Sequence, residues 1–320
     1  MASLAKVLLF GVPVFVAALV ESNKRKQQGF QPLANSIHPV TPPMSTQPVS
    51  MSAVPTGGVI DSLSEDFSQA REQQILDAIR AGAYEEITWA TVRSVGEGEL
   101  VGYTLDIPVM ADALKIEGVR VIGTLRSGQA IADMLGAMMM TPYVAGLISE
   151  QADARIAPNA PQPASAKKSR MLQESATTDR ALANYPGFVL TDNAGKFWTI
   201  SIRNTETAPH PVSGQPKGTA AVNHGLFPSP WMPIQNRGTF HSIDNHADST
   251  QNHRFIGLQS QLTEPDGRAR MVATKQIVMD TKFGPLLNGV RNKFYGKQLG
   301  EGVLPYDRHP AIPEPGTLIA

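Results

Sequence analysis

Histidine and aspartate side chains concentrate in one short stretch of the sequence, residues 239–254. Five of the seven histidines fall between His210 and His253, and three of these five lie in the stretch together with Asp244 and Asp248. Imidazole and carboxylate groups exchange protons near neutral pH, and both bind borderline metals. The stretch therefore indicates a site for acid/base or metal chemistry. The alternative is a polar loop, because Asn, Asp and Ser side chains favour turns by bonding the nearby backbone.

The catalytic set predicted within this stretch consists of four residues. His241 is the candidate general base or metal ligand, Asp248 the carboxylate that orients or ligates, and His253 the second imidazole. Arg254 is a candidate clamp for an anionic group or a transition-state oxyanion. The chain has no cysteine and no Gly-x-Ser-x-Gly motif. Water activated by a base or a metal is therefore a simpler chemistry here than a covalent intermediate.

A metal ion is the second use of the same residue types. His241, His246 and Asp248 are the candidate ligands of a divalent cation such as zinc or manganese, and His224 belongs to a neighbouring loop. The spacing of the histidines matches no compact metal-binding motif. The sequence indicates no other cofactor.

Composition bounds the function and the size of the fold. The 320 residues include 28 Lys plus Arg and 28 Asp plus Glu, so the formal net charge is zero. Because no general positive field draws the chain to nucleic acid, a nucleic-acid partner is not predicted. The absence of cysteine removes disulfides and Cys-ligated zinc and leaves the compartment open. The length allows one large domain or two smaller ones.

The N-terminus suggests a membrane or an assembly. Residues 7–20 form an apolar run of fourteen residues, with Lys6 before it and three basic residues at 24–26 after it. The run is shorter than the ~20 residues that span hydrocarbon. The larger basic cluster follows the run, which favours an uncleaved anchor with its C-terminal side in the cytoplasm. A signal peptide and a terminal helix buried in an assembly are the alternatives.

Hydrophobic periodicity predicts an α+β fold. An amphipathic helix is expected from Ile60 to near Gly82, a hairpin around residues 96–98, and a second helix from Arg126 through Met140. After residue 187 the pattern is typical of strands joined by turns and long Pro- and Gly-rich loops.

Proline-rich and polar stretches divide these elements into segments. The predicted segments are an apolar anchor or signal-like segment at 1–30, a Pro/Ser-rich linker at 31–58, a mixed α/β domain at 59–156, a linker at 157–169, a β-rich domain with long loops and the His/Asp cluster at 170–295, and a Pro-rich tail at 296–320. In the β-rich domain, Glu-Pro-Asp-Gly at 264–267 predicts a hairpin.

Two groups of short motifs support a family resemblance. The first group is Met-Ala-Asp-Ala-Leu at 110–114, Ile-Ala-Asp at 131–133, Thr-Pro at 141–142 and Gln-Ala-Asp-Ala-Arg-Ile-Ala-Pro at 151–158. The second group is Ala-Val-Asn-His-Gly at 221–225, Pro-Ile-Gln at 233–235, His241, Asp248, Arg254, Val-Met-Asp at 278–280 and Gly-Pro-Leu-Leu at 284–287. Over about residues 85–290 the chain thereby resembles an uncharacterised family of bacterial and phage proteins with a C-terminal His and an Asp-Tyr-Ser-His-Gly-x-Arg segment.

The chain departs from that family at its polar motifs. Leu226-Phe227 stands where the family has Trp-His, and residues 248–253 read Asp-Ser-Thr-Gln-Asn-His in place of Asp-Tyr-Ser-His-Gly. The resemblance implies a shared fold. Because the departures fall in the motif that would perform chemistry, it also implies a degenerate site in this chain if the family is catalytic.

Two functions from different classes follow from the sequence. The first is a structural or assembly protein, membrane-associated or part of a virion, that performs no turnover and forms contacts through its N-terminal apolar segment or as a homo-oligomer. The second is a hydrolase of the cell envelope, for example of peptidoglycan, that uses the His/Asp cluster or a metal-activated water. An enzyme needs the cluster to converge in a pocket, whereas an assembly protein does not.

Overall fold

The computed structural model describes six ranges of the chain, residues 58–159, 163–200, 220–232, 234, 240–242 and 246–289, of which the side chains at 220–222 and 240–242 are not described. The predicted anchor at 1–30, nearly all of the linker at 31–58 and the tail at 296–320 lie outside these ranges. Within the ranges, the helices are too short or too polar to cross a bilayer.

The fold is α+β, as the sequence predicts, and its largest element is an antiparallel sheet of six strands. Its strands are β1 (Trp89–Val95), β2 (Thr104–Met110), β5 (Ala137–Met139), β9 (Phe255–Gly257), β10 (Gln259–Thr263) and β11 (Ala269–Ala273). Strand β2 is central because β1 pairs with one of its edges along the whole length, while β10 and then β9 pair with the other. The predicted hairpins at 96–98 and 264–267 are confirmed as the β1–β2 and β10–β11 connections.

Two smaller sheets complete the β structure. A two-stranded hairpin pairs β3 (Lys115–Ile116) with β4 (Val119–Arg120), and a three-stranded antiparallel sheet has the order β6 (Lys196–Thr199), β7 (Ala220–Gly225), β8 (Phe240–Ser242). The hairpin turn places Glu117 and Gly118 at positive φ, which is the geometry of a tight two-residue turn.

Seven α-helices lie in the described ranges. They are α1 (Val59–Ser62), α2 (Gln69–Arg80), α3 (Leu125–Met134), α4 (Pro142–Gln151), α5 (Lys168–Leu182), α6 (Thr274–Met279) and α7 (Pro285–Asn288). The single helix predicted from Ile60 to Gly82 is wrong, since α1 ends at Ser62 and Ser68 caps a separate helix α2. The helix predicted through Met140 is also wrong, because Gly136 at φ +60° ends α3 and the methionines that follow enter strand β5.

One hydrophobic core joins residues from both sides of the 157–169 segment. Ile107 of β2 and Ile256 of β9 are both fully buried in it, and their strands are neighbours in the main sheet. All described residues fall within one compact unit. The segments predicted as separate domains at 59–156 and 170–295 therefore share their main sheet and their core, because the pairing partners of β2 come late in the chain.

Candidate functional site

The last seven residues of the polar stretch singled out in the sequence, 248–254, are buried. Seven consecutive polar residues from Asp248 to Arg254, hereafter the buried polar segment, are each at most 7% exposed. Buried polar groups must find hydrogen-bond partners or lose the free energy of their contacts with water. The segment is therefore a buried turn and loop, and Asp248 accepts a hydrogen bond from the nearby Thr250 N–H as the polar-loop alternative expects.

Backbone hydrogen bonds tie the buried polar segment to both larger sheets. The N–H of Lys196 in β6 donates to Thr250 O at 2.8 Å, and the N–H of Asn252 donates back to Lys196 O at 3.2 Å. The N–H of Leu114, just after β2, donates to His253 O at 2.8 Å. The segment thus satisfies its main chain by connecting the three-stranded sheet to the end of the six-stranded one.

Asp248 is the best-anchored charged group of the predicted catalytic set. Its Oδ2 accepts a hydrogen bond from Lys196 Nζ at 2.6 Å, and its Oδ1 accepts two from Thr250, one from the N–H at 2.9 Å and one from Oγ1 at 2.6 Å. Burial acts to raise the pKa of this carboxyl, but the Lys196 ammonium and the Thr250 donors outweigh it and hold the pKa below its usual value. Asp248 is therefore an ionised acceptor near neutral pH.

His246 is the described histidine nearest to that ion pair. Its Nε2 lies 4.0 Å from Asp248 Oδ2, which is too long for a hydrogen bond. Its ring packs edge-on against Trp198 with 6.3 Å between ring centroids, and its side chain is 35% exposed. Burial lowers the pKa of His246, and the negative charge of Asp248 only partly opposes the shift. The imidazole is thus neutral and partly open to solvent at pH 7.

His253 lies inside the fold, against helix α3. A Cβ added to Gly123 would lie 2.7 Å from its Nε2, and a Cβ on Gly128 would lie 3.1 Å from its Nδ1. Its ring stacks on Phe255 at 6.2 Å, and neither ring nitrogen has a hydrogen-bond partner in the part of the chain that the structure describes. Burial lowers the pKa of His253 to about 4. The ring is neutral, and no hydrogen bond joins it to Asp248.

Arg254 uses its guanidinium to hold the end of strand β2. Its Nε donates to Met110 O at 2.7 Å and its Nη2 donates to Ala111 O at 2.9 Å. The guanidinium also lies 5.5 Å from the ring centroid of Phe197. Burial lowers the pKa of Arg254 to about 10, which leaves the group charged at neutral pH. Two of its donors bind backbone carbonyls, so the described geometry differs from that of an anion clamp.

His224 and His241 lie in neighbouring strands of the three-stranded sheet. His224 in β7 pairs with Phe197, is fully buried, and places its ring edge-on to Phe227 at 5.6 Å. His241 in β8 pairs with Ala221, and its side chain lies outside the described part of the structure. Among the described residues, no three His, Asp or Glu side chains converge as metal ligands. Of the predicted metal set, only the His246 and Asp248 side chains can be placed, and they are neighbours.

A small polar cavity lies beside the buried polar segment. Its volume is about 10 Å³, which is space for about one water molecule. Its lining includes Arg120, Asn159, Glu174, Ser175, Asn193, Thr250 and Asn252. A cavity of this size cannot hold an organic substrate in the described structure.

Two charged residues of this region were not among the predicted site residues. Lys196 supplies the ammonium that pairs with Asp248. Asp192 accepts a hydrogen bond from the Ile156 N–H at 3.0 Å, and burial raises its pKa to about 6 although that bond opposes the shift. Asp192 is the first residue of the Asp-Asn-Ala-Gly turn at 192–195 and Lys196 follows it, and these charged residues at the two ends of the turn were the only signal in the sequence.

Comparison of this chain with protein-family models, with curated proteins and with solved structures finds no match. The resemblance to the bacterial and phage family stays a prediction from the quoted motifs. Function is therefore inferred from the geometry of residues 192–196 and 246–254.

Proposed function

We propose that this protein is a structural or assembly component, membrane-associated or part of a virion, that performs no turnover. The observation on which the proposal rests is the use of the two charged residues of the predicted catalytic set. Asp248 is bound by Lys196 and Thr250, and Arg254 is bound to two backbone carbonyls. Both side chains join parts of the fold to one another, and the cavity lined by Thr250 and Asn252 of the same segment has space for about one water.

The proposed partners come from the sequence at the ends of the chain. The apolar run at 7–20 is suited to contact with lipid or with an apolar protein surface, and the Pro-rich segments at 31–58 and 296–320 are suited to extended contacts with neighbouring subunits. The net charge of zero gives no general attraction to nucleic acid. Membrane or protein assembly through the N-terminal segment, with self-association as an option, is the proposed mode of action.

A cell-envelope hydrolase is the second candidate, and the environment of His246 favours it. A neutral, partly exposed imidazole lies next to a buried Lys196–Asp248 ion pair, and a base of this kind can deprotonate water. In this alternative His241 completes a metal site with His246 and Asp248. Zinc or manganese would then supply the activated water.

The first test measures turnover and metal content on the purified full-length chain. Peptidoglycan sacculi are incubated with wild type, with His246→Ala and with Asp106→Asn, a control at the partly exposed Arg93–Asp106 pair. The expected result is no soluble fragment above the buffer blank in any sample, and no stoichiometric metal by elemental analysis. Two results would establish the hydrolase in place of the assembly protein. One is fragment release by wild type and by the Asp106 variant but not by His246→Ala. The other is stoichiometric zinc in wild type that is lost in His241→Ala.

The second test addresses the membrane. Full-length protein is floated with phosphatidylcholine vesicles on a density gradient beside the double variant Val14→Glu/Val16→Glu, which places two charges in the apolar run. Wild type is expected to float and the variant to stay at the bottom, because a carboxylate costs about 2–3 kcal/mol at the centre of a bilayer. If wild type stays at the bottom and sediments as a monomer, neither membrane association nor self-assembly accounts for the protein.

A further inference from the structure

The connection between β7 and β8 contains an exposed apolar loop, residues 226–234. Met232 and Ile234 are 62% and 55% exposed, although they are large apolar residues. No charged residue occurs from 225 to 235, and prolines stand at 228, 230 and 233. Large apolar side chains that stay in water mark interaction sites when they are grouped in this way.

The body of the fold holds this apolar loop in place. The N–H of Trp231 donates to Ser149 Oγ of α4 at 3.1 Å, and the Trp231 ring packs on Tyr143 with 5.5 Å between centroids. At the base of the loop, the side-chain amide of Asn193 donates to Phe227 O at 2.9 Å. Trp231 has φ +67°, a strained value for an aromatic residue that persists only where the surroundings impose it. The exposed side chains are therefore presented by a preorganised backbone.

The backbone of the tip has few free donors. The N–H of Met232 donates to Ser229 O at 3.0 Å, and the N–H of Ile234 donates to Leu226 O at 2.8 Å. The N–H of Trp231 also has an acceptor, and the three prolines have no N–H. Ser229 is therefore the one residue from 228 to 234 whose N–H has no described acceptor. A segment that enters lipid must satisfy its backbone polar groups within the protein, and the N–H groups of this loop nearly all have acceptors there.

We propose that the apolar loop inserts Met232 and Ile234 into the boundary between lipid head groups and acyl chains. This inference rests on the proposed membrane association and names a second contact for it, besides the N-terminal run. Lipid fits better than a protein groove because the tip has no charge, offers almost no backbone donor to a partner strand, and has at its base a tryptophan, the residue type that favours membrane interfaces.

The test follows Trp231 in the full-length protein mixed with vesicles of phosphatidylcholine brominated on the acyl chains. The emission of Trp231 is obtained as the difference between wild type and Trp231→Phe, which removes the contributions of Trp89 and of buried Trp198. Brominated vesicles are expected to quench this difference signal, and plain vesicles to leave it unquenched. Met232→Asp and Ile234→Asp are expected to weaken quenching about tenfold at a given lipid concentration. Val101→Asp, at a 69% exposed position in the β1–β2 connection, is the matched control and should behave as wild type.

The outcomes separate this inference from the proposed function. If the chain floats with vesicles but Trp231 is not quenched, the loop inference is overturned and the N-terminal anchor stands. If a smaller fraction of Val14→Glu/Val16→Glu floats than of wild type while the Trp231 signal is still quenched, the loop contacts lipid without the N-terminal run. If neither flotation nor quenching occurs, the loop contact and membrane association both fail, and a monomer in sedimentation velocity would then also exclude self-assembly. Sedimentation velocity tests a contact between copies of the chain. If wild type self-associates and Met232→Asp is a monomer, the loop binds a second copy and the lipid contact is overturned.

Discussion

The buried polar segment at 248–254 and the apolar loop at 226–234 come from the same half of the chain and meet water in opposite ways. Every residue of the first is polar and buried, whereas the second exposes Met232 and Ile234. The polar segment replaces part of its contacts with water by an ion pair and by backbone hydrogen bonds to Lys196 and Leu114. The apolar loop bonds most of its N–H groups within the fold and leaves Met232 and Ile234 exposed.

This difference indicates that the first region contributes to folding stability and the second to binding. A buried polar group that loses its partner costs the full free energy of its desolvation, so the polar segment stabilises and specifies the fold. An exposed apolar side chain contributes little to the free energy of folding, and its contribution appears when a partner removes it from water. We expect changes in the first region to affect stability and changes in the second to affect binding.

The largest effect is expected from Asp248→Ala. The change leaves the Lys196 ammonium buried without its carboxylate, and removal of one partner of a buried ion pair costs about 3–5 kcal/mol. Urea unfolding followed by circular dichroism measures the loss. Asp106→Ala breaks the partly exposed Arg93–Asp106 pair, in which the Arg93 side chain is 55% exposed, and should cost less, about 1 kcal/mol. The double variant Asp248→Leu/Lys196→Met should recover most of the loss. Equal costs for Asp248→Ala and Asp106→Ala would show that burial does not set the strength of the pair.

A second effect is expected in the pH dependence of stability. The pKa of His253 is lowered from 6.5 to about 4, so the unfolded chain binds this proton first and the residue costs stability as pH falls from about 6.5 to 4. Relative to His253→Leu, wild type should lose about 3 kcal/mol of unfolding free energy between pH 7 and pH 4.

Asp192 provides a control of opposite sign for that experiment. Its pKa is raised from 3.8 to about 6, so the folded chain binds this proton first and the residue adds stability as pH falls from about 6 to 3.8. Relative to Asp192→Asn, wild type should therefore gain stability over the same interval. Urea midpoints measured at half-unit steps of pH for the three proteins give both differences. Parallel profiles for wild type and His253→Leu would mean that the ring is solvated or protonated inside the fold.

The smallest effect on stability is expected from Met232→Ser and Ile234→Ser. Substitutions at exposed positions without buried contacts usually change the free energy of unfolding by less than about 0.5 kcal/mol. The same urea titration measures it, with Val101→Ser as the exposed control. A cost above about 2 kcal/mol for either loop variant would mean that the side chain packs inside the fold in solution, and the contrast between the two regions would disappear.

Local elements of the fold could be predicted where the signals lie close together in sequence. The β1–β2 and β10–β11 hairpins follow from glycine-containing turns between alternating strands, and the Thr141 cap of α4 follows from Thr-Pro. The apolar residues up to Met138 keep a helical spacing, which predicts a helix through Met140, but Gly136 ends α3 and residues 137–139 pair with β9 as a strand. The sequence does not predict the separate start of α2 at Ser68, because the apolar residues of α1 and α2 fit one continuous helical period.

The candidate site shows the same limit more strongly. The sequence by itself determined that residues 239–254 are rich in His and Asp, that thiol chemistry is absent, and that the net charge is zero. Only the tertiary structure paired Asp248 with Lys196, turned Arg254 toward the carbonyls after β2, and buried His253 against α3. These contacts join residues more than 50 positions apart, so no local spacing encodes them. The chemistry of a polar group depends on its burial and its partners, and both are properties of the folded chain.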